Sequence, residues 1–235
     1  MTVDVLPGSD AEAAVWATAL AVAEILGDLT WVLVGAHMVM LLEREAGRPS
    51  GRTTGDVDAM VDVRAVAGAT RVAAGRLVAA GFAPDGADHP YRFHRGLEQV
   101  DILAPDHLGL RAGLTTVPPG TTAGIPGGTR ALATRRVLDV RVVGGGDGRL
   151  PVPSLAGGIV LKIRAWESRQ APRDAEDLVR LLAVVADVEA VRAELKPGER
   201  RSLSRVGPLA DVRNRAWRAA TDPDDARVAF LRLVG

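Results

Sequence analysis

Apolar positions recur with a helical period over residues 11–26, directly behind Ser9 and Asp10, two residue types that cap helix N-termini. Residues 31–34 (Trp-Val-Leu-Val) hold no polar position, which predicts a short buried strand. Gly35-Ala36-His37 predicts a turn, and residues 38–46 a helix leaving it. A polar stretch rich in Gly, Arg and Thr fills 47–55, and 57–63 predicts a second strand. Val66, Ala69, Val72, Ala73, Leu77 and Ala80 keep helical spacing up to Gly81, a residue suited to ending a helix. Residues 90–94 and 97–103 predict a hairpin turning at Arg95-Gly96, with Pro105 ending its second strand.

The second half reads differently. Residues 108–128 predict a loop, with Pro118-Pro119-Gly120 and Pro126-Gly127-Gly128 inside it. One further strand is expected at 138–143, stopped by Gly144-Gly145-Gly146. Helices are expected over 155–169, 173–186, 188–194, 199–206, 209–219 and 224–233. The order is mixed α/β followed by almost all helix. It predicts an α+β protein with an α/β domain over 1–150, a helical domain over 151–235, and a boundary within 147–153.

Composition narrows the chemistry. The chain has 235 residues, of which 47% are apolar and 3% aromatic, so its core must be built from aliphatic side chains. The absence of cysteine excludes disulfides, thiolate zinc sites and cysteine nucleophiles. The N-terminal residues lack a basic segment and a hydrophobic signal core, and no apolar run is long enough to span a bilayer. The expected location is the cytoplasm, with no membrane partner. The net charge is zero but uneven: residues 1–120 carry nine Arg against fifteen Asp and Glu, and residues 121–235 carry twenty basic residues against fourteen acidic ones. Only Lys162 and Lys196 among the 29 basic residues are lysines, which draws attention to both.

The densest candidate chemistry lies at Thr54-Gly55-Asp56-Val57-Asp58. Alternate strand positions share a face, about 6–7 Å apart, so Asp56 and Asp58 can bind divalent metal together. Without a cation their repulsion is costly at the head of an apolar strand. Asp101 repeats the setting between Val100 and Ile102, and three such acids suit Mg²⁺ and a nucleoside triphosphate. Asp62 reads as a capping acid near the strand end. The Gly35-Ala36 turn opens a helix, whose free N–H groups can hold phosphate. His37 on its own reads as a cap or packing residue. Arg52, Thr53 and Thr54 are suited to contact phosphate or to cap the strand. Lys162, between Leu161 and Ile163, either meets a triphosphate or extends to solvent. Asp174 and Asp177 lie one turn apart, as in a capping arrangement. Residues 196–218 hold seven basic and two acidic residues, which fits an RNA backbone or a solvated face, and Trp217 reads as core.

Taken together, these segments resemble the DNA polymerase β-type nucleotidyltransferase superfamily, and most of all the minimal bacterial enzymes grouped with the AbiEii toxins of type IV toxin–antitoxin systems. The resemblance spans roughly residues 30–182. It rests on Val34-Gly35-Ala36, Thr54-Gly55-Asp56-Val57-Asp58, Val100-Asp101-Ile102, Leu161-Lys162 and Arg173-Asp174-Ala175-Glu176-Asp177-Leu178. Ala36 stands where the family has Gly or Ser, and the 35–56 loop is longer than usual. The resemblance implies a small mixed twisted sheet flanked by helices. It implies Asp56, Asp58 and Asp101 as ligands of two Mg²⁺ ions, with Asp101 also helping to deprotonate the attacking hydroxyl. It places Gly35, Ala36, His37, Thr53, Thr54 and Lys162 at the nucleotide, with Asp174 orienting Lys162 or a basic loop residue. The implied reaction moves an NMP from an NTP to an acceptor hydroxyl, with tRNA or a protein as acceptor and an antitoxin as partner. The alternatives are a non-catalytic nucleotide- or partner-binding module of the same fold, and a nucleotidyltransferase acting on aminoglycoside-type small molecules.

Overall fold

The computed structural model describes residues 2–109 and 113–235, so residues 110–112 of the expected 108–128 loop lie outside the described residues. The chain opens with strand β1 (Thr2–Val5), helix α1 (Asp10–Leu26), strand β2 (Trp31–Leu33) and helix α2 (Gly35–Glu45). Strand β3 (Val57–Val61), helix α3 (Ala69–Ala79) and strands β4 (Ala83–Pro84), β5 (Arg92–Arg95) and β6 (Glu98–Pro105) follow. Strand β7 (Gly124–Ile125), helix α4 (Gly128–Ala133) and strands β8 (Arg135–Val142) and β9 (Asp147–Pro153) complete the first part. The remainder is helical: α5 (Leu155–Arg169), α6 (Pro172–Ala183), α7 (Val188–Glu194), α8 (Pro197–Ser204), α9 (Gly207–Ala210), a 3₁₀ turn (Arg215–Ala219) and α10 (Pro223–Val234). The fold is α+β with a helical C-terminal region, as the hydropathy pattern predicts. None of the described helices is long and apolar enough to cross a membrane.

One mixed sheet has the order β2-β3-β6-β5-β4, with β7 added beside β6. Its β3 and β6 are parallel neighbours, and β2, β5 and β4 pair antiparallel. A second sheet, β1-β8-β9, sets β1 parallel and β9 antiparallel to β8. The faces of β3 are sorted by alternation. Val57, Ala59 and Val61 join an apolar cluster with Trp16 and Leu26 of α1 and Leu77 of α3. Met60 joins a second cluster with Ile159 of α5, Leu178 of α6 and Leu233 of α10. Asp58 shares the parity of Met60 and so leaves the sheet on the side that the C-terminal helices cover. Met38, Val39 and Met60 share this cluster with Leu178 and Trp217, and β9 runs through residue 150, so sheet and helices meet in a continuous core.

Several elements start as the sequence suggests. The Ser9 side chain accepts from Glu12 N at 3.2 Å to cap α1, and the Asp62 carboxylate accepts from Arg64 N at 3.0 Å just past β3. Others differ for local reasons. The hairpin turns at Gly96-Leu97, one residue later than expected, because Gly96 takes φ +61° and Arg95 stays in the strand, bonded to Glu98 and stacked 4.5 Å from the Phe82 ring. The expected helix at 209–219 splits into α9 and the 3₁₀ turn, because Asn214 caps Ala216 N at 3.0 Å and restarts the chain there. Strand β1 and helix α4 carry too short a pattern to stand out alone, and the seven residues of β9 include Pro151 and Pro153, which speak against a strand.

Candidate active site

Parallel pairing of β3 with β6 puts Asp58 directly opposite Asp101. Asp56 lies just before β3, and carboxylate oxygens of Asp56, Asp58 and Asp101 come within 4.8 Å of one another. Asp58 is half-buried among them. Burial first, then the charges of Asp56 and Asp101, push its carboxyl up to about 7, against the opposing pull of Lys162 and Arg169. The Thr54 hydroxyl bonds the Asp56 carboxylate and fixes the approach to the strand.

The third acid has a partner that the sequence reading did not foresee. β5 lies on the far side of β6, and its register sets Arg92 opposite Asp101. The guanidinium makes a paired contact, Nε to Oδ1 and Nη2 to Oδ2, both at 2.9 Å. Asp101 is 4% exposed, so this pair sits at the floor of the site. The Asp101 hydrogen bond in turn holds the Arg92 guanidinium well above its usual range.

Gly35 packs directly against Asp58. Its φ is +64°, and a Cβ there would lie 1.8 Å from Asp58 Oδ2, so both the backbone conformation and the space call for glycine. No side chain caps α2, and Gly35 and Ala36 of its first turn line the cleft, where their N–H groups can meet a ligand. The His37 imidazole is a different matter. It is 1% exposed and packs edge-on against Trp16 with ring centres 4.7 Å apart. Burial pulls its pKa down to about 4, partly opposed by the Asp56 carboxylate and backbone. The ring therefore packs in the core, as His37 read on its own suggests, and His37 is not among the residues lining the cleft.

The opposite wall comes from α5 and α6. Lys162 is 5% exposed and does not extend to solvent; its Nζ donates to Asp177 Oδ2 at 2.7 Å. Arg52, from the loop before β3, donates to the other oxygen of Asp177 at 3.1 Å. Asp174 does not orient Lys162. It is 1% exposed and accepts two bonds from Arg169, at 2.6 and 2.7 Å. The cause is the turn between the helices: Gln170 takes φ +50° and Pro172 starts α6, folding Arg169 back over Asp174. The side chain that positions Lys162 is Asp177, which the sequence reading gave only a capping role.

Both walls line one cleft of about 1010 Å³ that also includes Gly35, Ala36, Thr53, Tyr91 and Thr122. The Thr122 hydroxyl is buried there without a hydrogen-bond partner. The structure thus gathers Asp56, Asp58, Asp101, Gly35, Ala36, Thr53, Thr54, Lys162 and Asp174 around one space, and leaves the His37 ring out. Arg92, Arg169, Tyr91 and Gln99 are additions to the expected set. The donors at the acidic wall are all oxygens, and Asp58 carries charge that its protein neighbours do not neutralise. A hard divalent cation such as Mg²⁺ fits that set.

No protein-family model matches this chain, and a comparison with curated proteins returns no match.

Proposed function

We propose that this chain is a nucleotidyltransferase of the DNA polymerase β type, moving an NMP from a nucleoside triphosphate to an acceptor hydroxyl. The observation that carries the reading is the convergence of Asp56, Asp58 and Asp101 within 4.8 Å, in a cleft whose opposite wall holds the buried Lys162. Asp56 and Asp58, beside Asp101, would hold Mg²⁺, which supplies positive charge for a triphosphate and its leaving group. The N–H groups of the α2 first turn and the Lys162 ammonium are donors for phosphate oxygens, and Gly35 lets the chain approach closely. Asp177, itself held by Arg52, keeps Lys162 in place before any ligand arrives. In the reaction the acceptor oxygen bonds to the α-phosphorus and the bond to the β-phosphate oxygen breaks, so pyrophosphate leaves. Each Asp101 oxygen keeps a lone pair beyond its Arg92 bond, which can receive the hydroxyl proton.

The acceptor reading is RNA. Six of the seven basic residues in 196–218 are exposed, namely Lys196, Arg201, Arg205, Arg213, Arg215 and Arg218, and Arg200 alone is turned in to the Arg192 and Leu195 carbonyls. Such a surface suits a phosphate backbone. An antitoxin partner rests on the sequence resemblance alone. The test is incubation with each labelled NTP, Mg²⁺ and total tRNA. Label should move to tRNA, and Asp56→Ala should cut the rate by ~10³-fold or more, the scale of several kcal/mol at a metal centre. Bound NTP with no label on any acceptor would replace this reading with that of a non-catalytic binding module.

A further inference from the structure

The sequence resemblance implies two metal ions, whereas the Arg92 contact argues for a different count. Resting on the reading above, we infer that this centre takes a single divalent cation, between Asp56 and Asp58, and that the Arg92 guanidinium on Asp101 occupies the place of a second.

Four observations converge. First, both oxygens of Asp101 are engaged by one guanidinium at 2.9 Å, a planar, two-bond contact that arginine makes and lysine cannot. Second, Arg92 is no loose surface arm. With its amide oxygen facing the guanidinium, as the surrounding donors require, Gln99 accepts from Arg92 Nη2 and Nε at 3.1 and 3.0 Å. Gln99 and Asp101 share one face of β6, so the strand holds the guanidinium from two positions. Third, the contact is written into the sheet register, in which Arg92 and Asp101 are opposed residues of adjacent strands. Fourth, Asp56, Asp58 and Asp101 with the one guanidinium that contacts them leave two negative charges, the number that one dication carries. A second dication chelated by Asp101 would sit a few ångströms from a fixed positive charge, in a site where Asp101 is 4% exposed.

Arg92 is therefore a positioning residue: it fixes Asp101 and sets how many cations the acids can take. Its substitution should change metal stoichiometry, a property that loss of packing alone would not raise. The experiment is electron paramagnetic resonance and equilibrium titration with Mn²⁺, alone and with αβ-methylene analogues of ATP, CTP, GTP and UTP. The wild-type chain should bind one Mn²⁺ with the six-line spectrum of an isolated ion. Arg92→Gln should bind a second, at least tenfold tighter than wild type does, with the extra lines of a spin-coupled pair. Arg92→Lys, which keeps the charge, should stay at one. A spin-coupled pair in the wild-type chain overturns the inference and leaves the nucleotidyltransferase reading standing, whatever the variants do. One isolated ion in folded Arg92→Gln overturns it as well. Failure of the wild-type chain to bind Mn²⁺ at all removes both.

Discussion

The two walls of the cleft hold carboxylates in opposite conditions. On the helical wall, Asp177 and Asp174 are each 1% exposed, and every one of their oxygens accepts from a cation: Lys162 and Arg52 at Asp177, Arg169 at Asp174. On the sheet wall, Asp101 is matched by Arg92, but Asp56 and Asp58 face each other without a cationic partner among the described residues. Burial alone does not account for the difference, since the more deeply buried acids are the better satisfied ones. The helical wall is finished by the protein, and the sheet wall is left for something else to finish. That contrast separates acids that the protein itself has paired from acids that it has not, although both line one cleft.

Substitutions on the two walls should therefore move stability in opposite directions. The largest change is expected from Asp177→Ala, which strands Lys162 as an unpaired buried charge. A loss of about 3–5 kcal/mol is expected, read by denaturant unfolding. An unchanged midpoint would mean that water reaches Lys162 and the wall is not closed. Asp58→Asn should do the reverse. In chelator at pH 8 it removes an unmatched charge and should stabilise the chain by roughly 2 kcal/mol, or ~4–8 °C in Tm. Added Mg²⁺ should raise the wild-type Tm and leave Asp58→Asn unmoved. A destabilised Asp58→Asn would show that the sheet wall is already complete.

The smallest expected change comes from Asp106, an acid one residue past β6 that has all the donors it needs. Its carboxylate accepts from Gly127 N at 2.7 Å and Thr129 N at 2.9 Å, capping α4 from a distance. Burial pushes this carboxyl up, but the N–H groups of Thr129 and Gly127 outweigh it, and the net direction is down. A lowered carboxyl contributes stability above its unfolded pKa, and that contribution fades as pH falls through the folded value. Asp106→Ala should cost about 1–2 kcal/mol at pH 7, the scale of a helix cap. The cost should vanish in strong acid, followed by unfolding at pH 7 and pH 2. A cost independent of pH would assign the loss to packing instead.

How much of this was legible beforehand depends on the range of the interaction. Alternation and capping are local, so β2, β3, the hairpin and the helix at 155–169 could be read from neighbouring residues. The Asp56/Asp58 pair was visible for the same reason, and Asp101 because an acid inside an apolar run stands out. Arg92 was not visible, because its partner depends on strand register. A turn at Arg95-Gly96 would have set Arg92 against Gln99, and the observed turn at Gly96-Leu97 sets it against Asp101. A shift of one residue at the tip changed the partner of the guanidinium. The exchange of roles between Asp174 and Asp177 was hidden in the same way, since it depends on a left-handed Gln170 that no pattern announces. His37 could be read only as a cap or packing residue, because its place beside Trp16 is fixed by packing across helices, 21 positions apart in the chain.

The parallel pairing of β1 with β8 has a bearing on synthesis. Thr2 pairs in register with Asp139, so β1 must wait for a strand made 137 residues later. At ~5–20 residues per second that interval is roughly 7–30 s. The β3–β6 pair that carries the acids emerges well inside it. During translation, the strands that carry the acids can therefore meet while β1 still lacks its partner, exposed to chaperones or to neighbouring nascent chains.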